Sequence, residues 1–312
     1  MRPPARPGAT TCRVAIVERS RGVASAPVTW GVWERTTGRD DLVPPGRLLE
    51  TVAELGYTGI ELGPPGYLAP QALAESGLQL VGGFAPLHVD DEDAFSADIT
   101  EWLDPIVAAL VETGGEGPVV LADAGTPERL AGAGRPDEQA RTALRGDRLA
   151  RALERVTQAA ERCRSRGIDA VFHHHTATYF ETPEEIATLV EQTDVPLCFD
   201  SGHAAVGGGD PLELARRYAS RIGHLHLKDV DPVRLARVRA GSVSLEQAWG
   251  DGIFCPFGEG MVDLHGVLTL PALQDFAGWI VLEQDRVAVR VSDLPSVRAV
   301  EEANLRYVRE AL

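Results

Sequence analysis

Residues 196–229 read PLCFDSGHAAVGGGDPLELARRYASRIGHLHLKD. A short apolar run (196–200) ends in an aspartate, a helical segment follows (211–220), and a second apolar run (222–227) ends in lysine and aspartate. An apolar run, a helical period and another apolar run make a unit that pairs its strands in parallel. Working outward, the same alternation fills the chain. Further strands are predicted at 27–32, 59–62, 78–84, 118–122, 170–174 and 279–283. Helices are predicted at 45–55, 70–76, 92–113, 138–166, 183–192, 211–220, 232–249, 264–276 and 294–312. Eight strands alternating with helices fit an α/β (β/α)8 TIM barrel better than an open doubly wound sheet. No Gly-x-Gly-x-x-Gly turn follows the first strand, and Gly207-Gly208-Gly209 is separated from its strand by Ser201 to Val206.

Composition narrows the function. The chain has 312 residues, 44% hydrophobic and 24% charged, which is ordinary globular usage. Its formal charge is 30 − 46 = −16, so its surface repels phosphate backbones and anionic lipid. No nucleic-acid partner is expected. No apolar run approaches the roughly 18 residues of a membrane span. Cys12, Cys163, Cys198 and Cys255 have no paired spacing and are read as reduced. With no apolar leader, the expected location is the cytoplasm. Residues 1–23 read as a flexible tail and 24–312 as one barrel domain, with loop insertions near 124–137 and 239–259.

The chemistry gathers where apolar runs end. His173-His174-His175, Asp200-Ser201-Gly202-His203, His224 to Asp229, and Glu283-Gln284-Asp285 each follow a predicted strand, and Glu181 lies six residues past the histidine triplet. In a parallel barrel these ends meet on the rim that carries the active site. Carboxylates and imidazoles gathered at one point repel or desolvate each other unless a cation joins them. Mixed oxygen and nitrogen ligands favour Mn²⁺ or Co²⁺, with Mg²⁺ admitted. Residues 224, 226 and 228 alternate onto one face of a strand, which puts His226 and Lys228 nearest the mouth and His224 a layer below. Trp30, Trp33 and Tyr67 are read as aromatic walls, Trp30 foremost, for a sugar or cyclitol ring.

His173-His174-His175-x-x-Thr178-x-x-Glu181-Thr182, Asp200-Ser201-Gly202-His203 and Arg221-Ile222-x-His224-Leu225-His226-Leu227-Lys228-Asp229 resemble the motifs of inosose dehydratases, within the xylose isomerase-like barrel superfamily of sugar isomerases and epimerases. The segments 26–32, 56–63 and 257–285 are similar too. The resemblance implies a metal held by Glu181, Asp200, His226 and Glu283, with His175 as the alternative to Glu181. It implies substrate contacts from Trp30, Glu61, His175, His203 and Lys228. The implied reaction is dehydration of a polyhydroxylated cyclic ketone through an enediolate, with Glu283 or Glu181 as base and His203 or Lys228 as acid. The alternative is a keto-sugar isomerase or epimerase sharing every step up to the enediolate. A non-catalytic sugar-binding subunit has no need of the ligand set. An endonuclease on the same barrel conflicts with the charge. The expected partner is a small polyol, keto-sugar or cyclitol, and self-association is left open.

Overall fold

The computed structural model describes residues 22–36, 38–273 and 275–310. Its inner strands are β1 (Gly22–Ser25), β2 (Gly59–Ile60), β3 (Gln79–Leu80), β4 (Gly83–Leu87), β5 (Val119–Asp123), β6 (Ala170–His173), β7 (Leu197–Asp200) and β8 (Ile222–Leu227). After the short β9 (Asp229–Val230) and β10 (Phe254–Cys255) comes β11 (Trp279–Leu282). The sheet runs β3-β2-β1-β11-β8-β7-β6-β5-β4 with parallel neighbours, the order of a curled barrel wall. Strands covered on both faces read as continuous apolar runs, and every residue of β5, β6, β7 and β11 is buried.

Two strands differ from the sequence expectation. The third, expected at 78–84, breaks into β3 and β4. Around the break, Val81 N–H donates to Ile60 O (3.0 Å) and Leu62 N–H to Gly82 O (2.9 Å). The first half therefore pairs with β2 and the second with β5, so eight strand positions close the ring. The first strand, expected at 27–32, lies at 22–25 instead. Pro27 has no N–H for a ladder, and 27–30 form a turn of 3-10 helix ending at Gly31 (φ +73°). The expected tail is outside the described residues up to 21, and 22–23 belong to β1.

Helices form the outer layer. Gly146–Arg164 buries Ala152, Val156, Ala159, Ala160 and Cys163, the three-and-four spacing of one face. The helix expected at 92–113 contains one wide turn, Ile99–Leu103, in which Asp104 N–H donates to Ile99 O. Pro105 follows, lacks a donor and crowds the carbonyl four residues back, which favours widening there. The expected insertions line the mouth. Residues 127–142 form helices Pro127–Gly132 and Pro136–Thr142. Within 239–259, helix Leu245–Gly250 leads to β10, which pairs antiparallel with β9. Cys163, Cys198 and Cys255 are free and buried, while Cys12 is outside the described residues. Among the described residues no helix is long and apolar enough to cross a membrane.

Candidate active site

β7 ends in Asp200, which serves two purposes. Its Oδ1 caps helix Ser201–Val206 by accepting from His203 N–H (2.8 Å), and its Oδ2 accepts from Lys228 Nζ (2.8 Å). From β8, His226 and Lys228 point into the barrel as the alternation requires. His226 Nδ1 lies 2.9 Å from Glu283 Oε2 and 3.8 Å from Asp200 Oδ2. Lys228 Nζ sits 2.6 Å from Glu283 Oε2, 3.3 Å from Asp285 Oδ1 and 3.3 Å from His203 Nε2. All these residues are buried. Burial alone would strip Lys228 of its proton, but Asp200, Asp285 and Glu283 together hold its pKa well above the ordinary value. Burial raises Asp200 too, yet Lys228, His173 and His226 bring it below the usual carboxylate range. Asp285 goes the other way. Burial, with Glu283 and Asp200 nearby, pushes it up to about 7 against the pull of Lys228.

Behind this cluster, Glu61 Oε1 lies 3.0 Å from both His224 Nε2 and His226 Nε2. Glu61, expected as a substrate contact, lines the cavity and also has a positioning task. Its carboxylate takes the Nε2 hydrogen of His226 and leaves Nδ1 facing Asp200 and Glu283. His224 lies in the layer below, as read from the sequence.

The fifth-strand end departs from expectation. Glu181 is buried away from the cluster, its Oε1 accepting from Gly134 N–H (2.8 Å) and its Oε2 from Ala177 N–H (2.6 Å) and Gln139 Nε2 (2.7 Å). A carboxylate with three donors already on it braces two loops. Burial pushes it up to about 7, opposed by the Gly134 and Ala177 N–H groups. Ala177 has φ +68°, the sole left-handed non-glycine among the described residues, in the loop that this brace holds. His173, at the inward end of β6, is what reaches the cluster: its Nε2 is 4.0 Å from Asp200 Oδ2. His175 lies outward of it, its ring 3.9 Å from that of His203 and its Nδ1 2.7 Å from Thr176 O. Thr176 Oγ1 holds His203 Nδ1 at 3.1 Å. Burial first, then the neighbouring cations, lowers His173 and His203 far below the usual range and His175 to about 4.

Glu61, His173, His175, His203, His226, Lys228, Glu283 and Asp285 line a cavity of about 610 Å³. Its aromatic walls are Trp33, Phe84, Trp102, Trp249 and Phe254. Trp33 and Trp249 pack at 4.8 Å between ring centroids, and Trp33 Nε1 donates to Val287 O. Trp30, expected as the foremost wall, is fully buried in the core with Nε1 donating to Ser25 Oγ (3.0 Å). Displacing the first strand to 22–25 turned it inward. Tyr67 donates to Val43 O and does not line the cavity. The sequence reading gave no site role to His173, Asp285 or Trp249. Period two from His175 and from Glu283 was the available signal for the first two; Trp249 had none beyond its place in an insertion.

The donor set fits a divalent ion. Asp200, His226 and Glu283 each offer one ligand atom, all within 4.8 Å of one another. His226 Nδ1 makes no hydrogen bond although Glu283 Oε2 lies 2.9 Å away, so it remains to serve as a ligand atom beside the two carboxylates. His173 Nε2 borders the same space. One imidazole or two with two carboxylates suits a borderline-hard cation.

A family model described as xylose isomerase-like TIM barrel matches residues 49–309. The rhizopine catabolism protein MocC of Rhizobium meliloti is 34% identical over 280 residues, 85% of this chain and 81% of that protein. The inosose dehydratase of Geobacillus kaustophilus is 30% identical over 280 residues, covering 85% and 87%. In the crystal structure of IOLI protein with a bound zinc atom, the fold superposes with a TM-score of 0.61 at 16% identity, over 93% of this chain and 96% of that one.

Proposed function

This chain belongs to the xylose isomerase-like TIM barrel family, and within it we propose a metal-dependent hydro-lyase acting on a polyhydroxylated cyclic ketone of the inosose type. The observation that carries the reading is the convergence of Asp200, His226 and Glu283 around one point with Lys228 beside them. The relative named inosose dehydratase supports the reaction class, and the neighbour with zinc supports a metal in this fold. Mn²⁺ or Co²⁺ suits the mixed ligands, with Mg²⁺ admitted, and Asp200, His226, Glu283 and His173 would hold the ion. When bound, such an ion polarises a ketone oxygen and acidifies the neighbouring C–H.

The chain's own groups do the rest. Glu283 is the base for the proton beside the carbonyl, since Glu181 is committed elsewhere. Loss of that proton gives an enediolate, and the β-hydroxyl needs a proton to leave as water. Lys228 is the donor of choice, held charged by three carboxylates. His203 Nε2 accepts from the Lys228 ammonium, and its Nδ1 is fixed by Thr176, so it orients the donor.

The test is incubation of the Mn²⁺-loaded protein with a panel of inososes and ketoses, followed by mass spectrometry. Loss of one water from an inosose, with ultraviolet absorbance from the enol of the product, is expected. Lys228→Ala should slow water loss more than solvent exchange at the α-carbon. A mass-neutral product would replace the lyase with the isomerase or epimerase reading.

A further inference from the structure

Strand β4 carries a second wall of the cavity. Along Gly83–Leu87, residues 83, 85 and 87 are buried while Phe84 and Pro86 line the cavity, and His88 continues that face just beyond the strand end. Its ring is not free to turn. Asp98 Oδ2 accepts from the His88 backbone N–H (2.6 Å) and lies 2.9 Å from His88 Nδ1. Asp98 is 6% exposed, whereas the His88 side chain is 45% exposed at the cavity. Asp98 closes one helix, and the wide turn Ile99–Leu103 follows it directly, so that Asp98 and Trp102 both reach the cavity wall. Wide turns of this kind recur at functional sites.

A carboxylate only accepts, so Nδ1 carries the hydrogen and Nε2 is left to act outward. Among the described residues Nε2 has no hydrogen-bond partner. Pinning the loop requires only the bond to the backbone N–H. The second contact of the same oxygen orients an imidazole at the wall of a site, and that is the arrangement of a ligand-reading group.

We propose that His88 is a specificity-determining residue, its Nε2 hydrogen-bonding one ring hydroxyl of the substrate while Trp102 packs against the ring's C–H face. Asp98 is its positioning residue. This rests on the polyol reading of the cavity and adds to it the group that selects one hydroxyl away from the ligand cluster.

The test is calorimetric titration of the Mn²⁺-loaded protein with myo-inositol and a set of monodeoxy-inositols, with metal content and thermal midpoint measured alongside. His88→Ala should weaken myo-inositol binding about 2- to 12-fold, the worth of one hydrogen bond. It should also erase the wild-type preference against one monodeoxy-inositol, with metal content unchanged. His88→Gln restores part of the affinity, and Asp98→Asn, which leaves the ring less firmly held, loses less than His88→Ala. Unchanged affinity and preference in His88→Ala would overturn the role of this pair while leaving the ligand cluster untouched. A wild type that takes up Mn²⁺ yet binds neither inositols nor inososes would overturn the polyol reading, and this inference with it.

Discussion

Glu181, expected as a metal ligand with His175 as the alternative, is braced by protein donors, while His173, given no role in the sequence reading, reaches the cluster, and the difference is open to measurement. Both Glu181 oxygens accept from loop donors outside the cluster, Gly134, Ala177 and Gln139, whereas the donor on Asp200 Oδ2 is Lys228, which belongs to the cluster itself. Asp200→Ala and Glu283→Ala should therefore abolish tight Mn²⁺ binding, whereas Glu181→Gln should retain it, read by elemental analysis of Mn²⁺-soaked protein. Loss of metal in Glu181→Gln would return that residue to the ligand set. The same variant carries a pH signature. The Glu181 carboxyl is raised from an ordinary 4.5 to about 7 in the folded chain, so the folded state holds this proton more tightly than the unfolded state. Its contribution to stability is fully present below pH 4.5 and is lost as pH rises through 7. The wild-type-minus-variant stability difference should fall across that window, measured by urea unfolding at several pH values; a flat difference would contradict the assignment.

Among the elements, the loops decide which aromatic rings meet the substrate. Trp30 follows Pro27 into a 3-10 turn and is enclosed, while Trp33, three residues on, meets Trp249 from the second insertion. Trp30→Ala should cost about 3–5 kcal/mol of stability, as for other fully buried Trp truncations. Trp249→Ala should raise KM several-fold while lowering the thermal midpoint less than Trp30→Ala, because its ring lines the cavity and packs only partly buried against the core. Steady-state kinetics and calorimetry on both variants test this, and the opposite pattern would exchange the two roles. The buried brace Arg129–Glu185 ties the first insertion to the helix after β6, with Arg129 also donating to Thr178 O (2.6 Å). That insertion is thus part of the wall, not a loose connection.

For the whole molecule, the barrel brings like charges together in a dry interior. Glu61, Asp200, Glu283 and Asp285 converge on one cation, Lys228, and one imidazole, His226. A cation that binds the folded chain and not the unfolded one stabilises it by mass action, about 2.7 kcal/mol at a hundredfold excess over Kd. Chelation should abolish turnover and lower the thermal midpoint, and Mn²⁺ should restore both, followed by scanning calorimetry. A midpoint indifferent to metal would argue against a site at this cluster.

The barrel was legible from sequence because period carries it. Apolar runs ending in Asp200, in His226 and Lys228, and in Glu283 mark strands buried on both faces, whose C-terminal ends must share a rim, and alternation alone put His224, His226 and Lys228 on one face. What lay beyond reach depends on contacts between segments distant in sequence. The split of the third strand follows from which neighbour each half pairs with. The burial of Trp30 follows from pairing of 22–25 with β2 and β11. The brace at Glu181 exists because Gly134, Gln139 and Ala177 fold back upon it, and the His88–Asp98 pair because the helix Glu92–Asp98 ends beside the end of β4. Sequence sets where a chain is apolar and where it carries charge. Only the tertiary structure decides which donors reach a given carboxylate first, and so whether that carboxylate is left to meet a ligand.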